Sequence, residues 1–137
     1  MKRSAEVVIQ IPFHDVDLVG IVWHGHYAKY FEIARCALLE SFDYNYDRML
    51  VSGYGWPVID LRLRYVKPAQ FGQKIRVRAT LLEWENRLRI EYLVSDDASG
   101  ERLTKGESVQ VAVNIATREM CMVSPDVIFE RLGEPKP

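Results

Sequence analysis

The amino-acid sequence predicts one antiparallel α+β domain over residues 1–137. Three observations predict this fold class: one long segment has the period of a helix, five short segments alternate like strands, and no strand–helix–strand unit recurs. A parallel sheet would need such recurring units. Hydrophobic residues make up 48% of the chain, which favours a folded domain with a buried core over a disordered chain.

The first predicted elements are a strand, a loop and a long helix. Apolar residues alternate over residues 7–13, which is typical of a strand, and a loop follows over residues 14–25. Apolar residues then recur at helical spacing over residues 26–42 and leave only a narrow polar stripe. Such a helix is expected to be wrapped by the rest of the fold. Residues 43–55 are predicted to form a loop with a short helical turn.

Four further strands are predicted in the second half of the chain, joined as a meander. Their alternating segments are residues 59–65, 75–81, 88–94 and 109–115. Turns are predicted between strands at residues 68–72, 85–86 and 96–100. Ser124 and Pro125 have the residue types of an N-cap and a first helical residue, which predicts a short C-terminal helix.

The overall charge and the cysteines disfavour several classes of protein. The formal net charge is −1, so general affinity for nucleic acids or membrane surfaces is not expected. Cys36 and Cys121 match no metal-ligand spacing and are predicted to be reduced, buried thiols. The chain starts with two basic residues but no long apolar run. Neither a signal peptide nor a membrane-spanning helix is therefore expected, and the default compartment is the cytoplasm.

The segment between the first strand and the long helix carries the chemistry. It contains all three histidines of the chain, together with Asp15 and Asp17. A helix N-terminus offers unpaired N–H groups that can bind an anion or stabilise an oxyanion, and Gly25 allows close approach there. A carboxylate from Asp17, an oxyanion site and a flanking histidine suit acyl transfer or hydrolysis.

Simpler interpretations of the same residues stay open. Asp15 or Asp17 could cap a turn, and His24 or His26 could cap the helix or lie satisfied in the core. A metal site from the histidines and an aspartate is disfavoured, because His-x-His at a helix start does not place both rings on one side. No metal and no cofactor are therefore predicted.

Six arginines recur on neighbouring predicted strands, at positions 62, 64, 76, 78, 87 and 89. The simpler interpretation is a solvated sheet face with cross-strand ion pairs. The alternative is a phosphate-binding surface, because arginine forks match phosphate geometry. A nucleic-acid partner is disfavoured by the balanced net charge and by the lack of an aromatic ladder.

The run from Asp15 to His24, followed by Tyr27, Tyr30, Phe31, Glu32 and Arg35, resembles the 4-hydroxybenzoyl-CoA thioesterase family. The likeness includes the acyl-CoA thioesterases encoded beside Tol-Pal components. The family pattern is roughly D-x-D-x-x-G-x-V-[WY]-[HY]-x-x-Y-x-x-[WY]-x-E-x-x-R. This motif is long and fairly specific, and the predicted order of elements extends the resemblance over nearly the whole chain.

The resemblance implies the hot-dog fold, in which a long central helix is wrapped by an antiparallel sheet of about five strands. It implies homodimers or homotetramers with active sites between subunits. It also implies that Asp17 is the catalytic carboxylate and that His24, or the backbone around it, lies beside the thioester carbonyl. Phe13 stands where one branch carries an aromatic hydroxyl, and His24 stands where another carries tyrosine. The branch is therefore left open.

The expected function is hydrolysis of an acyl-CoA or acyl-carrier-protein thioester to a free acid and a thiol. His24 and Gly25 are assigned to the oxyanion site, and the CoA phosphates to Arg87 and Arg89. Substrate contacts are assigned to Val22, Trp23, Pro57 and Val58. Two alternatives stay open, a hydroxyacyl-thioester dehydratase of the same fold and a non-catalytic acyl-thioester-binding domain. The D-x-D-x-x-G loop before the helix speaks against the dehydratase.

Overall fold

A computed structural model describes residues 3–137. Met1 and Lys2, the start of the segment considered for a signal peptide, lie outside the described residues. Two short 3₁₀ turns precede the first helix, at Phe13–Asp15 and His24–His26. The strands and helices are β1 (Arg3–Gln10), α1 (Tyr27–Ser41), α2 (Tyr46–Ser52), β2 (Tyr54–Gly55), β3 (Val58–Tyr65), β4 (Lys74–Glu83), β5 (Leu88–Asp96), β6 (Arg102–Gln110), β7 (Val113–Asn114) and α3 (Asp126–Leu132).

Helix α1 confirms the predicted long helix and packs one apolar face into the core. Its fully buried residues include Tyr30, Phe31 and Leu38, at the spacing that a single helix face requires. The wrapping is incomplete within one chain, because Ile33 and Cys36 on the opposite side are exposed. The prediction that Cys36 is a buried thiol was therefore wrong, since the residue lies on the solvent side of the helix.

The main sheet has five antiparallel strands in the order β1-β4-β5-β6-β3. This confirms the α+β class and the strand number, but the prediction of a simple meander was wrong for β3. Strand β3 pairs with β6 at the far edge, while β4 pairs with β1. The connection over residues 66–73 is held to other segments by backbone hydrogen bonds, from Val66 to Leu103 and from Gly72 to Ile11. Those contacts carry the chain across the end of the sheet instead of closing a hairpin.

Three boundaries also differ from the predictions, each for a local reason. Strand β1 ends at Gln10 because a 3₁₀ turn begins at Phe13. Strand β6 spans Arg102–Gln110 instead of residues 109–115, and the following residues pair with β2 in a separate small sheet. Helix α3 begins at Asp126, and the Ser124 hydroxyl has no hydrogen-bond partner among the described residues, so Ser124 is not its N-cap.

The two faces of the five-stranded sheet differ in their burial and in their charge. Strands β4 and β5 alternate between buried and more exposed residues, and the buried side contacts α1. The opposite side carries charged residues and their ion pairs. The start of α1 and the loop before it lie at one end of this helix-on-sheet core.

Within residues 3–137, no helix is long and apolar enough to cross a membrane.

Candidate active site

The loop before α1 folds back on itself as a small hairpin. Val16 and Val22 form an antiparallel bridge, and the Asp17 N–H donates to the Ile21 carbonyl at 2.9 Å. The turn between them closes with the Gly20 N–H on the Asp17 carbonyl at 3.0 Å. Gly20 has φ +79°, a conformation that glycine adopts at little cost. The glycine of the motif is thus required by the turn that presents Asp17.

Asp17 is exposed at this hairpin and its carboxylate is oriented by the backbone. Its Oδ1 accepts hydrogen bonds from the Val19 N–H at 3.0 Å and the Ile21 N–H at 3.4 Å. No partner within residues 3–137 occupies Oδ2. Asp17 therefore caps a turn, as the simpler interpretation expects, and still has one carboxylate oxygen available to a ligand.

Asp15, two residues earlier, has both of its carboxylate oxygens hydrogen-bonded to side chains of α1. It is only 1% exposed, and both its oxygens lie 2.7 Å from Lys29 Nζ, while the Tyr30 hydroxyl donates to Oδ2 at 2.7 Å. Burial by itself would raise the pKa of the Asp15 carboxyl, but the hydrogen bonds from Lys29 and Tyr30 outweigh it and lower that pKa. Burial and the same carboxylate raise the pKa of Tyr30. Asp15 therefore anchors the loop to α1 and is not free to react.

The 3₁₀ turn His24–His26 contains the two residues predicted as oxyanion donors. The Trp23 N–H donates to the Asp15 carbonyl at 3.0 Å and the His26 N–H to the Trp23 carbonyl at 3.0 Å. The N–H groups of His24 and Gly25, which lie between them, have no acceptor in the described part of the chain. A Cβ added to Gly25 would lie 2.1 Å from the Trp23 ring, so a larger residue here would have to displace that half-exposed ring.

Part of the predicted site converges on one cavity. A concavity of about 250 Å³ is lined by Asp17, Ile21, Val22, Trp23, His24, Tyr27, Tyr65, Val66, Lys67 and Pro68. Four predicted site residues are in that set, and Gly25 adjoins it in the chain. The cavity is thus bordered by Asp17, which has a carboxylate oxygen without a partner, and by His24, whose N–H has no acceptor within residues 3–137.

The histidines do not converge on a metal site. His14 and His26 have ring nitrogens 3.8 and 3.9 Å from Asp15 Oδ1, but Lys29 already binds that carboxylate. The His24 ring lies against the Trp23 ring, with centroids 4.9 Å apart. Across residues 3–137, no group of three His, Cys, Asp or Glu side chains is arranged to hold a metal ion.

The other predicted substrate residues lie at the opposite end of the sheet. Val58 and Leu88 are both register partners of Gln110, so Pro57, Val58, Arg87 and Arg89 lie near one another. Strand β3 runs from Val58 to Tyr65, roughly 23 Å at about 3.3 Å per residue. Within one chain these four residues are therefore not brought to Asp17.

That opposite end contains a second and larger cavity, of about 710 Å³. Its apolar walls come from α1, α2 and the segment before β3, and include Leu39, Met49, Tyr54, Trp56 and Pro57. Arg35, the last residue of the motif, also lines it. The two cavities together are large enough for an extended ligand, but they lie at different ends of the five-stranded sheet.

Most of the arginines form surface ion pairs, as the simpler interpretation expects. Arg76 and Arg78 pair with Glu6 across β1 and β4. Arg87 Nε donates to Glu83 at 3.1 Å, and an Arg89 guanidinium nitrogen donates to Glu107 at 3.4 Å. A phosphate at Arg87 or Arg89 would therefore compete with these carboxylates.

Tyr65 lines the cavity of the candidate site but was not predicted as a site residue. Its hydroxyl donates to the His24 carbonyl at 2.9 Å, and its ring lies edge-on to Tyr27 with centroids 5.3 Å apart. In the sequence it appears only as the last apolar residue of an alternating strand. The contact with His24 joins residues 41 positions apart, and no local pattern encodes it.

Comparison with known proteins identifies the family. The family model described as the thioesterase-like superfamily matches residues 11–129. The chain belongs to this superfamily. The crystal structure of a hypothetical protein from Thermus thermophilus, 29% identical, has a TM-score of 0.82 and covers 95% of both chains. A DHNA-CoA thioesterase from Staphylococcus aureus, 24% identical, has a TM-score of 0.79 and covers 87% of this chain and 80% of its own.

Two sequence relatives agree with this assignment. A Synechocystis protein named provisionally as an esterase is 28% identical over 96% of this chain and 80% of its own length. A Bacillus subtilis protein named provisionally as an acyl-CoA thioesterase is 26% identical over 77% of each. The predicted hot-dog fold and the predicted enzyme class are confirmed: this superfamily member is a thioester hydrolase.

Proposed function

We propose that this thioesterase hydrolyses acyl-CoA with Asp17 as its catalytic carboxylate. The observation that carries the proposal is that Asp17 and His24 line the same small cavity, while Asp17 Oδ2 and the N–H groups of His24 and Gly25 have no partner within residues 3–137. The name of the Bacillus subtilis relative supports CoA as the carrier. An acyl-acyl carrier protein thioesterase of Arabidopsis thaliana, 28% identical over 59% of this chain, keeps a carrier protein as the second candidate.

The chemistry needs a nucleophile and a place for the charge that develops on the carbonyl oxygen. The N–H groups of His24 and Gly25 receive that oxygen, and one such donor is typically worth roughly 10²–10³ in kcat. Asp17 either takes a proton from the attacking water or attacks the carbonyl itself to give an acyl anhydride. In the first route the C–S bond breaks and the proton taken by Asp17 passes to the departing thiolate. In the second route the thiolate leaves as the anhydride forms, and water then hydrolyses the anhydride to the free acid and supplies the proton of the thiol. His24 orients the carbonyl or the water.

We propose that the complete site forms between two chains. The small cavity holds about 250 Å³, whereas ligand sites usually hold about 300–1,000 Å³. Strand β3 is an open sheet edge with exposed apolar residues, including Ile59 and Leu61. Antiparallel pairing of two β3 strands about a two-fold axis brings the partner's Pro57 and Val58 beside Tyr65. The partner's large cavity then receives the acyl group.

The same two-fold pairing explains the positions of the arginines. Arg87 and Arg89 lie at the Val58 end of the sheet, so the partner's pair comes to the end that holds Asp17. There the two arginines bind the nucleotide phosphates of CoA. The phosphates replace Glu83 and Glu107 as the partners of these arginines. A homodimer, or a homotetramer built from such dimers, and a cytoplasmic location are part of the proposal.

Substitution of Asp17 by Asn tests the catalytic assignment. Asp17→Asn keeps the shape of the side chain and its turn hydrogen bonds but removes the base, so kcat should fall by roughly 10²-fold or more. Thiol release from acyl-CoA and from acyl carrier protein, followed with a thiol reagent, measures it. Asp126→Asn, at an exposed carboxylate on α3, is the matched control and should keep wild-type kcat.

Each alternative gives a different result in that assay. Near-wild-type thiol release by Asp17→Asn, with an unchanged unfolding midpoint, would make His24 the leading base. Enoyl formation without thiol release would indicate the dehydratase, and binding without either would indicate a non-catalytic domain. Label from ¹⁸O-water found in the Asp17 carboxylate after a single turnover would identify the anhydride route.

A further inference from the structure

Two peptide units present the candidate oxyanion donors, and their carbonyls are held differently. In a trans peptide the N–H and the C=O point in opposite directions, so fixing one fixes the other. The Trp23–His24 peptide is fixed by the backbone, because the Trp23 carbonyl accepts the His26 N–H at 3.0 Å. The carbonyl of the His24–Gly25 peptide has a side-chain donor, the Tyr65 hydroxyl, which lies 2.9 Å from it.

Tyr65 is itself held in place from two directions. It ends β3, and its ring lies edge-on to Tyr27 at a 74° angle. Tyr27 is 2% exposed, and its hydroxyl accepts the Ala69 N–H at 3.1 Å, so it cannot easily move. On the other side of the peptide, the Trp23 ring fills the space beside Gly25. The His24–Gly25 peptide is therefore positioned by groups from three segments.

A hydrogen bond to a peptide carbonyl also strengthens the N–H of that peptide as a donor. Such cooperative polarisation strengthens the neighbouring hydrogen bond by roughly 10–30%. The donor must keep its proton, and partial burial raises the pKa of the Tyr65 phenol above its ordinary value of 10.0. The O–H is thus present throughout the neutral range.

We infer that Tyr65 is a positioning residue for thioester hydrolysis. Its hydroxyl holds the His24 carbonyl and thereby aims and polarises the Gly25 N–H toward the thioester oxygen. The inference rests on the proposed oxyanion site at His24 and Gly25. It also links the β3 edge to the chemistry, because the strand that carries Tyr65 is the one proposed to pair between subunits.

Tyr65→Phe tests the inference because it removes the hydroxyl and keeps the ring. The interaction with the oxyanion exists only in the transition state, so kcat should fall roughly 3- to 10-fold with KM nearly unchanged. Tyr44→Phe is the control, because its buried hydroxyl bonds Ser52 and Trp56 away from Asp17. That control should lower the unfolding midpoint without the loss of kcat, and light scattering should show the same assembly for both variants.

A second measurement does not depend on turnover. In the free protein, Tyr65→Phe should move the Gly25 amide proton upfield in the NMR spectrum, because its peptide loses the polarising bond. An unchanged Gly25 shift, a kcat within twofold of wild type, or a rise in KM alone would overturn the role of Tyr65. If Asp17→Asn abolishes hydrolysis while Tyr65→Phe has no effect, only the Tyr65 inference fails. If Asp17→Asn is fully active, the proposed function fails instead.

Discussion

Two aspartates only two positions apart have opposite environments. Asp15 is 1% exposed and is bonded by Lys29 and Tyr30 from the first turn of α1, whereas Asp17 is exposed and bonded by backbone N–H groups. A buried carboxylate with three short hydrogen bonds is a structural anchor, because its charge is already compensated. Asp15 is the structural anchor because Lys29 and Tyr30 of α1 reach its carboxylate and do not reach that of Asp17.

Asp15→Asn should destabilise the fold in a pH-dependent way. At neutral pH the variant loses the charge-assisted bonds to Lys29 and Tyr30, at a cost of about 1–3 kcal/mol in the free energy of unfolding. The folded-state pKa of Asp15 lies below its ordinary value of 3.8. Its stabilisation is therefore present above about pH 4 and is lost as the pH falls through the lower, folded value.

Urea unfolding of the wild type and Asp15→Asn at pH 7 and at pH 3 measures this effect. The gap between the two proteins should be largest at pH 7 and smaller at pH 3. An equal gap at both values would contradict a role for the Asp15 charge and would leave only packing as the cause.

Helix α1 is fitted to the sheet through one close contact with a glycine. A Cβ on Gly106 of β6 would lie 2.2 Å from the Phe31 ring and 2.9 Å from the Arg62 carbonyl oxygen. Phe31 cannot retreat freely, because it is stacked on Tyr92 with centroids 4.4 Å apart and rings 2° from parallel. The glycine thus sets how closely the helix approaches β5 and β6.

Gly106→Ala should therefore lower stability, although alanine is the better residue in most strands. Overpacking of this kind costs about 1–3 kcal/mol, which exceeds the about 0.5–1 kcal/mol gained by removing a strand glycine. Gly55→Ala is the matched control, because nothing lies within 4 Å of its Cβ position. Thermal unfolding of both variants checks the difference, and a Gly106→Ala midpoint at or above wild type would show that Phe31 can move.

At the scale of the whole molecule, the predicted site residues form two groups at opposite ends of one sheet. Val22, Trp23 and Asp17 lie at the Tyr65 end, and Pro57, Val58 and both predicted phosphate ligands lie at the other. Either the second group is unrelated to catalysis, or a second chain unites the two. The open, apolar edge of β3 favours the second explanation.

Leu61→Asp tests that explanation at the centre of the edge. Leu61 lies near the middle of β3 and is 40% exposed, so the substitution should leave the single-chain fold intact. Near a two-fold axis the new carboxylate faces its own copy, which should give monomers with little thiol release. Val51→Asp, at an 82% exposed apolar residue outside the edge, is the control. Light scattering and thiol release measure both, and a fully active monomer would contradict a two-chain site.

Local patterns were enough for the long helix, for most of the strands and for the loop that carries Asp17. Helix α1 and the alternation of β4 and β5 follow from periodicity over a few residues. The short C-terminal helix was predicted from the residue types of Ser124 and Pro125, and it is present although Ser124 is not its N-cap. The D-x-D-x-x-G run likewise marks the loop that carries Asp17, because its turn needs a glycine at position 20. These features depend on neighbours in the chain, so their signal is visible in the sequence.

The remaining features depend on contacts between distant segments. The edge position of β3 follows from the crossing of residues 66–73, and the Tyr65–His24 bond joins residues 41 positions apart. The choice of Asp15 as the anchor depends on side chains one turn into α1. No periodicity reports such contacts, because they arise only when the helix packs on the sheet and brings the ends of separate elements together.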